Sequence, residues 1–228
     1  MNAVPLSPTD RSTIKRHRDR AVTDRAALYD VLDAGPVCHL AFVTDDGSPV
    51  VLPTCYGRDG DTLYVHGSSG AHSLGLAGAG SEICVAVTAL DGIVYGRSVF
   101  HHSVNYRSAV IHGVGRAVAD EEGKLRGLRA LAEHVAPGSW DYARRPNRKE
   151  LAAVSVVALD LTEAAVKVRT GPPRDGTEAS SSPDVWAGVV PVRPVAGEPE
   201  PCPHVPMGVP VPEHILRRVG GTTASRQH

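Results

Sequence analysis

Between residues 37 and 66 the chain is cut into short apolar runs by Asp-Gly pairs, and these pairs dictate how the runs can be connected. Residues 37–44, 49–56 and 62–66 have strand length, and Asp46-Gly47 and Asp59-Gly60 lie between them. Asp-Gly supplies the positive φ of a tight hairpin turn, so each strand returns antiparallel to the last. Parallel neighbours would need a crossover of a dozen residues or more, and no such length is present. A third pair, Asp91-Gly92, predicts another hairpin between residues 82–90 and 93–99. Residues 107–118 read as a long strand in which Gly113 and Gly115 suggest a bulge, a bend or the close approach of a ligand. Residues 154–161 and 166–168 supply the last strands.

Helical spacing interrupts this meander at three places. Ala27, Leu28, Val31 and Leu32 follow Thr23, a plausible N-cap, and stop at Gly35-Pro36. Residues 73–79 allow two turns. Leu125, Leu128, Leu131, Ala132 and Val135 share one face before Pro137-Gly138. About six sequential strands with few helices are satisfied best by a closed or half-closed barrel, which removes exposed edges. The expected fold is mainly β: a six-stranded antiparallel barrel with a few helices.

The chain divides into an N-terminal arm (residues 1–22), the barrel domain (23–170) and an extension (171–228) holding eleven prolines between Pro172 and Pro212. The extension also contains Val185-Trp186 and Ile215-Leu216, so it is expected to wrap the barrel or a neighbouring subunit, with residues 220–228 mobile. The net charge of −1 gives no global attraction to nucleic acid or anionic membrane. The one basic run, Lys15-Arg16-His17-Arg18 with Arg20, is either a solvated arm or a local phosphate or partner contact. With no secretory h-region and no membrane-length apolar run, a cytoplasmic location is expected. Cys38, Cys55, Cys84 and Cys202 lack CxxC spacing and read as reduced thiols, with no metal site.

One connection carries chemistry. Alternation in residues 62–66 puts Thr62, Tyr64 and His66 on one face and Leu63 and Val65 on the other. His66 then opens onto Gly67-Ser68-Ser69-Gly70, followed by His72, Ser73 and a helix start. Loop amides left unpaired, serine hydroxyls and a helix dipole suit a phosphate group; a bare Gly/Ser connection explains the loop equally well. There is no GK[ST] ending, hence no Walker loop. Asn105, Tyr106, Arg107 and Ser108 place four hydrogen-bonding side chains before a strand, as a ligand rim, a subunit contact or a capped loop would.

The order VLPTCY, LYVHGSSGAHS, EICVAVTALDG, HHSVNYRSAVIHG and VWAGVVP resembles the pyridoxamine 5′-phosphate oxidase-like FMN-binding split-barrel superfamily, in particular its nitroimidazole-resistance-type branch. The resemblance covers roughly residues 13–191. It implies a homodimer with flavin sites at the subunit interface. Pro53, Thr54, Cys55 and Tyr56 would run beside the isoalloxazine, and His66, Gly67, Ser68, Ser69, His72 and Ser73 would hold the phosphate. Asn105, Tyr106, Arg107 and Ser108 would complete the pocket, and Trp140 or Trp186, contributed from the partner subunit, would cover the ring, unless they serve as core or interface anchors. Where many relatives carry Lys or Arg, this chain has His72, so Arg107 or the arm at residues 16–20 is a candidate for the missing charge. The implied activity is FMN-dependent oxidation or reduction of a small organic molecule, with a transiently bound nicotinamide or a small organic molecule as donor and His66 as the catalytic residue. FAD, a deazaflavin or haem are alternative cofactors, with His66, His72 or His102 as axial ligand. A non-catalytic flavin binder or sensor is a further alternative.

Overall fold

The structure, a computed structural model, describes residues 5–6, 9–174 and 184–219. The serine run 180–182 and the terminal residues 220–228 lie outside these. In chain order the elements are β1 (Ala21–Val22), α1 (Arg25–Leu32), β2 (Val37–Val43), β3 (Pro49–Asp59), β4 (Thr62–Ser68), α2 (His72–Gly78), β5 (Ala79–Tyr95), β6 (Ser103–Ala117), α3 (Glu121–Val135), α4 (Ser139–Tyr142), α5 (Arg148–Ala153), β7 (Val154–Asp160), β8 (Glu163–Arg169), β9 (Gly188–Pro191) and α6 (Glu213–Leu216).

The sheet order is β1-β8-β6-β7-β4-β3-β2-β5-β9, and β5 also pairs with β6. That extra pairing closes a ring of six antiparallel strands, β6-β7-β4-β3-β2-β5. The barrel is split at β6, whose first half pairs with β8 from Tyr106 to His112 while its end pairs with β7 at Arg116 and Ala117. The hairpins expected at Asp46-Gly47 and Asp59-Gly60 are present, with Gly47 and Gly60 at positive φ.

The hairpin expected at Asp91-Gly92 is not. β5 runs straight through it, with a register shift between Leu90 and Gly92. Two contacts explain the difference. β9 pairs along this stretch, its Pro191 opposite Gly92, where a side chain would press on Val189 and Val190. Asp91, at the bulge, accepts from the Arg107 guanidinium of β6 at 2.9–3.3 Å. Tertiary pairing overrides a local turn preference here. The first helix is capped by Asp24, which accepts from the Ala26 amide, and not by Thr23.

The barrel interior holds Leu40, Tyr56, Leu63, Val65, Val85, Ile111 and Leu159, closed at one end by Leu28, Val31 and Leu32 of α1. Leu6 from the arm joins this core. Both extremities therefore return to the barrel: β1 pairs with β8, and β9 extends the sheet beyond β5. Arg218, next to α6, donates to the Val135 carbonyl, and His214 in α6 faces Tyr142 of α4 at a ring distance of 5.1 Å. No helix among the described residues is long and apolar enough to cross a membrane.

A second, smaller apolar layer lies outside the barrel. Tyr64, Leu131 and Val156 form it, with Val118, Leu128, Ala130 and Ala158 packed around them. α3 can approach because β3 carries Gly57: a Cβ there would lie 2.3 Å from the Ala130 carbonyl carbon. Gly115 of β6 serves the same end with α2, since a Cβ there would fall 1.9 Å from the Ala77 oxygen. Lys124 of α3 donates to the Leu151 and Val154 carbonyls at 3.2 and 3.0 Å, tying α3 to α5.

Candidate functional site

Where α3, α4 and α5 stand off the outer face of β3 and β4, they leave a cleft of about 580 Å³. This lies within the range of small-molecule and cofactor pockets, about 300–1,000 Å³. Its floor is Cys55 of β3 and His66 of β4. Its walls are Leu128, Leu131, Ala132 and Val135 of α3, then Ser139, Trp140, Ala143, Arg144, Pro146 and Glu150. The apolar wall follows from α3 itself: the stripe that packs Leu131 on Tyr64 continues past the barrel surface as Leu128, Ala132 and Val135.

His66 is the polar group of the floor. The alternation of β4 sends Leu63 and Val65 inward and turns Tyr64 and His66 outward beneath α3. Nδ1 of His66 is buried and has no hydrogen-bond partner. Burial pushes the imidazole pKa below its usual value, favouring the neutral ring with a free lone pair. An unpartnered buried nitrogen is costly, and a ligand at this wall would relieve it.

The rim is ionic. Arg144 donates to both Glu150 oxygens, at 2.8 and 2.6 Å, and holds that carboxyl well below its usual range, at about 2. Glu150 also forms a capping box with Asn147 at the start of α5. Trp140 is covered by the Arg145 guanidinium 4.2 Å from the ring centroid, and its backbone amide donates to Glu133.

Of the residues expected to bind a cofactor, the structure brings Cys55, His66 and Trp140 into this cleft. Pro53 is exposed on β3 and Thr54 is half-buried. Tyr56 is fully buried in the barrel, where its hydroxyl donates to the Leu32 carbonyl and its ring meets His134 at 4.7 Å. The Gly67–Ser73 region departs from the open amide cradle expected of it. Gly67 and Ser68 continue β4 against β7. The amides of Ser69, Gly70 and Ala71 already have acceptors in the Ala153 carbonyl, Ser68 Oγ and the Ser68 carbonyl. Gly67 gives room to a packing side chain, since a Cβ there would lie 2.4 Å from Leu74 Cδ1. His72 is exposed and Ser73 half-buried at the start of α2.

The four residues from Asn105 to Ser108 sit on the β6–β8 side, away from the cleft lining. Asn105 is buried, accepting from Arg169 and donating to the Gly171 carbonyl. Arg107 is occupied by Asp91, Tyr106 pairs across to Arg169 on β8, and Ser108 Oγ lies 3.5 Å from the Lys167 carbonyl. His102 accepts from the Gly96 amide through Nδ1 and packs against Tyr95. Among the described residues, no three His, Cys, Asp or Glu side chains converge on a metal position.

Residues 24–168 match the family model described as pyridoxamine 5′-phosphate oxidase. The chain belongs to this family. The flavocytochrome Anf3 from Azotobacter vinelandii is 38% identical, with a TM-score of 0.87, over 95% of this chain and 100% of that one. The FAD and haem binding protein from Mycobacterium smegmatis is also 38% identical, with a TM-score of 0.83, over 88% of this chain and 98% of that one. A candidate 5-nitroimidazole antibiotic resistance protein from Bacteroides thetaiotaomicron shares the fold at 18% identity, with a TM-score of 0.52, over 65% of this chain and 86% of that one. No curated protein sequence matches the chain.

Sequence reading missed most of the cleft wall. Leu128, Leu131, Ala132 and Val135 were visible as a helical stripe, but a stripe that covers a core and one that lines a pocket have the same period. Arg144 and Glu150 carried no signal beyond the Asn147-to-Glu150 capping spacing.

Proposed function

We propose that this chain is a redox protein that carries a flavin together with haem, and that the cleft beneath α3 to α5 is the haem site. The buried, unpartnered Nδ1 of His66 at an apolar wall carries this reading. A neutral imidazole with a free nitrogen is the common axial ligand of haem iron, and an apolar surround suits the macrocycle. Of the three histidines considered from sequence, His66 alone lines the cleft; His72 is exposed and His102 already accepts a hydrogen bond. The two proteins matched nearly end to end at 38% identity, a flavocytochrome and an FAD and haem binding protein, support the same pair of cofactors, and the second favours FAD over FMN as the flavin.

Bound together, the two groups supply flavin chemistry in electron pairs and haem chemistry in single electrons or with dioxygen. The chain's own contributions follow from its residues. His66 offers a neutral nitrogen from the end of a strand fixed by pairing on both sides, with β3 and β7. Leu128, Leu131, Ala132 and Val135 would keep water from a macrocycle held in the cleft. Trp140, held by Arg145 and Glu133, closes one side. The reaction so served is the oxidation or reduction of a small molecule, as an oxidoreductase with a nicotinamide or other small donor. A homodimer belongs to the same reading, supported by Val99 and Phe100, which stand about 85% exposed beyond the end of β5.

Absorbance of the purified protein tests this. A Soret band beside flavin absorbance is expected, and His66→Ala should lose the Soret band and keep the flavin. Haemin that fails to bind the wild-type chain, or a Soret band unchanged in His66→Ala, would overturn the assignment.

A further inference from the structure

The basic run of the N-terminal arm is not absorbed by the cleft, and the fold gives it a definite place. β1 pairs with β8, Ala21 opposite Lys167. This sets the preceding one-turn helix, Arg18–Arg20, beside the end of β8, where Arg169 lies. Arg174 folds back to the same spot and pairs with Asp19 at 2.9 Å. Arg20, Arg169 and Arg174 thus gather where β1 and β6 begin and β8 ends, and none of them lines the cleft.

Two of these cations are poorly satisfied. Arg169 is only 6% exposed, and its acceptors are all neutral: the Asn105 side chain and the Gly171 and Pro172 carbonyls, the latter two at 3.5 and 3.4 Å. Arg20 has Nε buried with no acceptor, and no ion-pair partner among the described residues. The field of the cluster is felt by its members. Burial first, then Arg20 and Arg174, push the Arg169 pKa down, and Arg20 is the largest influence pushing that of His17 down. A buried guanidinium without a carboxylate, next to two more of its kind, is unfavourable unless an anion completes the set.

Charge and geometry name the class of that anion. Three guanidinium groups face one carboxylate, Asp19, so the surplus suits a ligand carrying two negative charges. Planar N–H forks match the oxygens of a phosphoryl group, and several such forks favour a dianion over a simple carboxylate. We propose that Arg20, Arg169 and Arg174 form an anion site for the phosphoryl groups of a nucleotide or other phosphorylated ligand, closed by the folding of the N-terminal arm onto β8. Asn105 acts in it as a positioning residue, holding the Arg169 fork. This inference does not rest on the haem reading of the cleft.

Titration calorimetry with inorganic pyrophosphate at constant ionic strength tests it, on the full chain as purified and after removal of flavin. Saturable binding with one site per chain is expected, weakened at least tenfold by Arg20→Gln and by Arg174→Gln. Arg174 is exposed and Arg20 half-buried, and neither belongs to the hydrophobic core, so these variants should fold. Arg126→Gln, an exposed arginine on α3, should leave the affinity unchanged. If only the flavin-free chain binds pyrophosphate, the phosphoryl group is the flavin nucleotide's own. If both forms bind it, the site serves a separate phosphorylated ligand. Binding by neither form, or an equal loss in Arg126→Gln, overturns the proposal.

Discussion

Cys55 and Tyr56 are consecutive on β3 and meet opposite fates. Tyr56 points into the barrel, fully buried, its hydroxyl bonded to the Leu32 carbonyl. Cys55 points out to the floor of the cleft. β4 repeats the contrast one strand away: Val65 is core, and His66 is cleft floor with an unbonded nitrogen. The interior is dense and its polar atoms are paired; the outer layer is held off the barrel by three helices and leaves space and one unpaired polar atom. The same pleat therefore makes a stability surface and a ligand surface, and which one a residue joins depends only on its parity along the strand.

Breaking the contact that holds the two layers together should have the largest effect. Gly57→Val places side-chain atoms into the backbone of α3 at Ala130 and Leu131. Because backbone cannot rotate away as a side chain can, α3 must lift. A loss of more than about 3 kcal/mol in urea denaturation is expected, with the cleft destroyed as well. A well-folded Gly57→Val protein that still bound haemin would show that α3 is not the roof of the cleft.

Tyr56→Phe acts on the inner layer alone. It keeps the ring and leaves the Leu32 carbonyl, at the end of α1, without its donor. A loss of about 1–3 kcal/mol is expected from the unsatisfied buried acceptor, with cofactor affinity unchanged. A change in cofactor binding without a change in stability would return Tyr56 to the ligand surface that the family resemblance implied for it.

How much of this was legible in the sequence follows from the range of each signal. The antiparallel barrel was, because Asp46-Gly47 and Asp59-Gly60 fix their turns locally and alternation fixes the faces. Asp91-Gly92 misled for the complementary reason: β9 arrives from almost a hundred residues away to straighten β5 there, and no local pattern announces it. The histidine of the site was legible as the last outward residue of its strand run. The amides of the following loop were not, since their acceptors, such as the Ala153 carbonyl, come from an element far along the chain. The cleft wall needed the close approach of α3, which depends on a glycine in β3 that looks like any other strand glycine. The sequence leaves Asn105 open between a ligand rim, a subunit contact and a capped loop, because its buried partner Arg169 lies 64 residues on.

A smaller effect separates the layers by pH. Folding holds His66 where its neutral form is favoured, below the usual 6.5, so the unfolded chain takes up a proton first as pH falls. The stability associated with a neutral His66 is therefore complete above about pH 6.5 and declines as pH drops toward the lowered folded value. His66→Leu should flatten this acid-side decline in the cofactor-free protein. It should also raise stability by about 1 kcal/mol at pH 8, because a buried atom without a partner is removed. An acid limb that stays unchanged in urea titrations at pH 8 and pH 5.5 would place the titrating group elsewhere.

The smallest effect costs no stability and reads the two layers directly through their thiols. Cys38 lies inside the barrel on β2, its pairing partner on β3 being Thr54, the residue before Cys55. Burial pushes the Cys38 thiol up to about 12, so thiolate is scarce at pH 8 and a disulfide reagent has no path to it. Cys202 is exposed in the extension and should react first. Cys55 should react at an intermediate rate, through the cleft, and haemin should slow Cys55 while leaving Cys202 unaffected. Mass spectrometry of the labelled peptides separates the sites. Protection of Cys55 by haemin would tie the ligand to the outer face of β3. Equal labelling of Cys55 with and without haemin would move the ligand out of this cleft, although the barrel beneath it would be untouched.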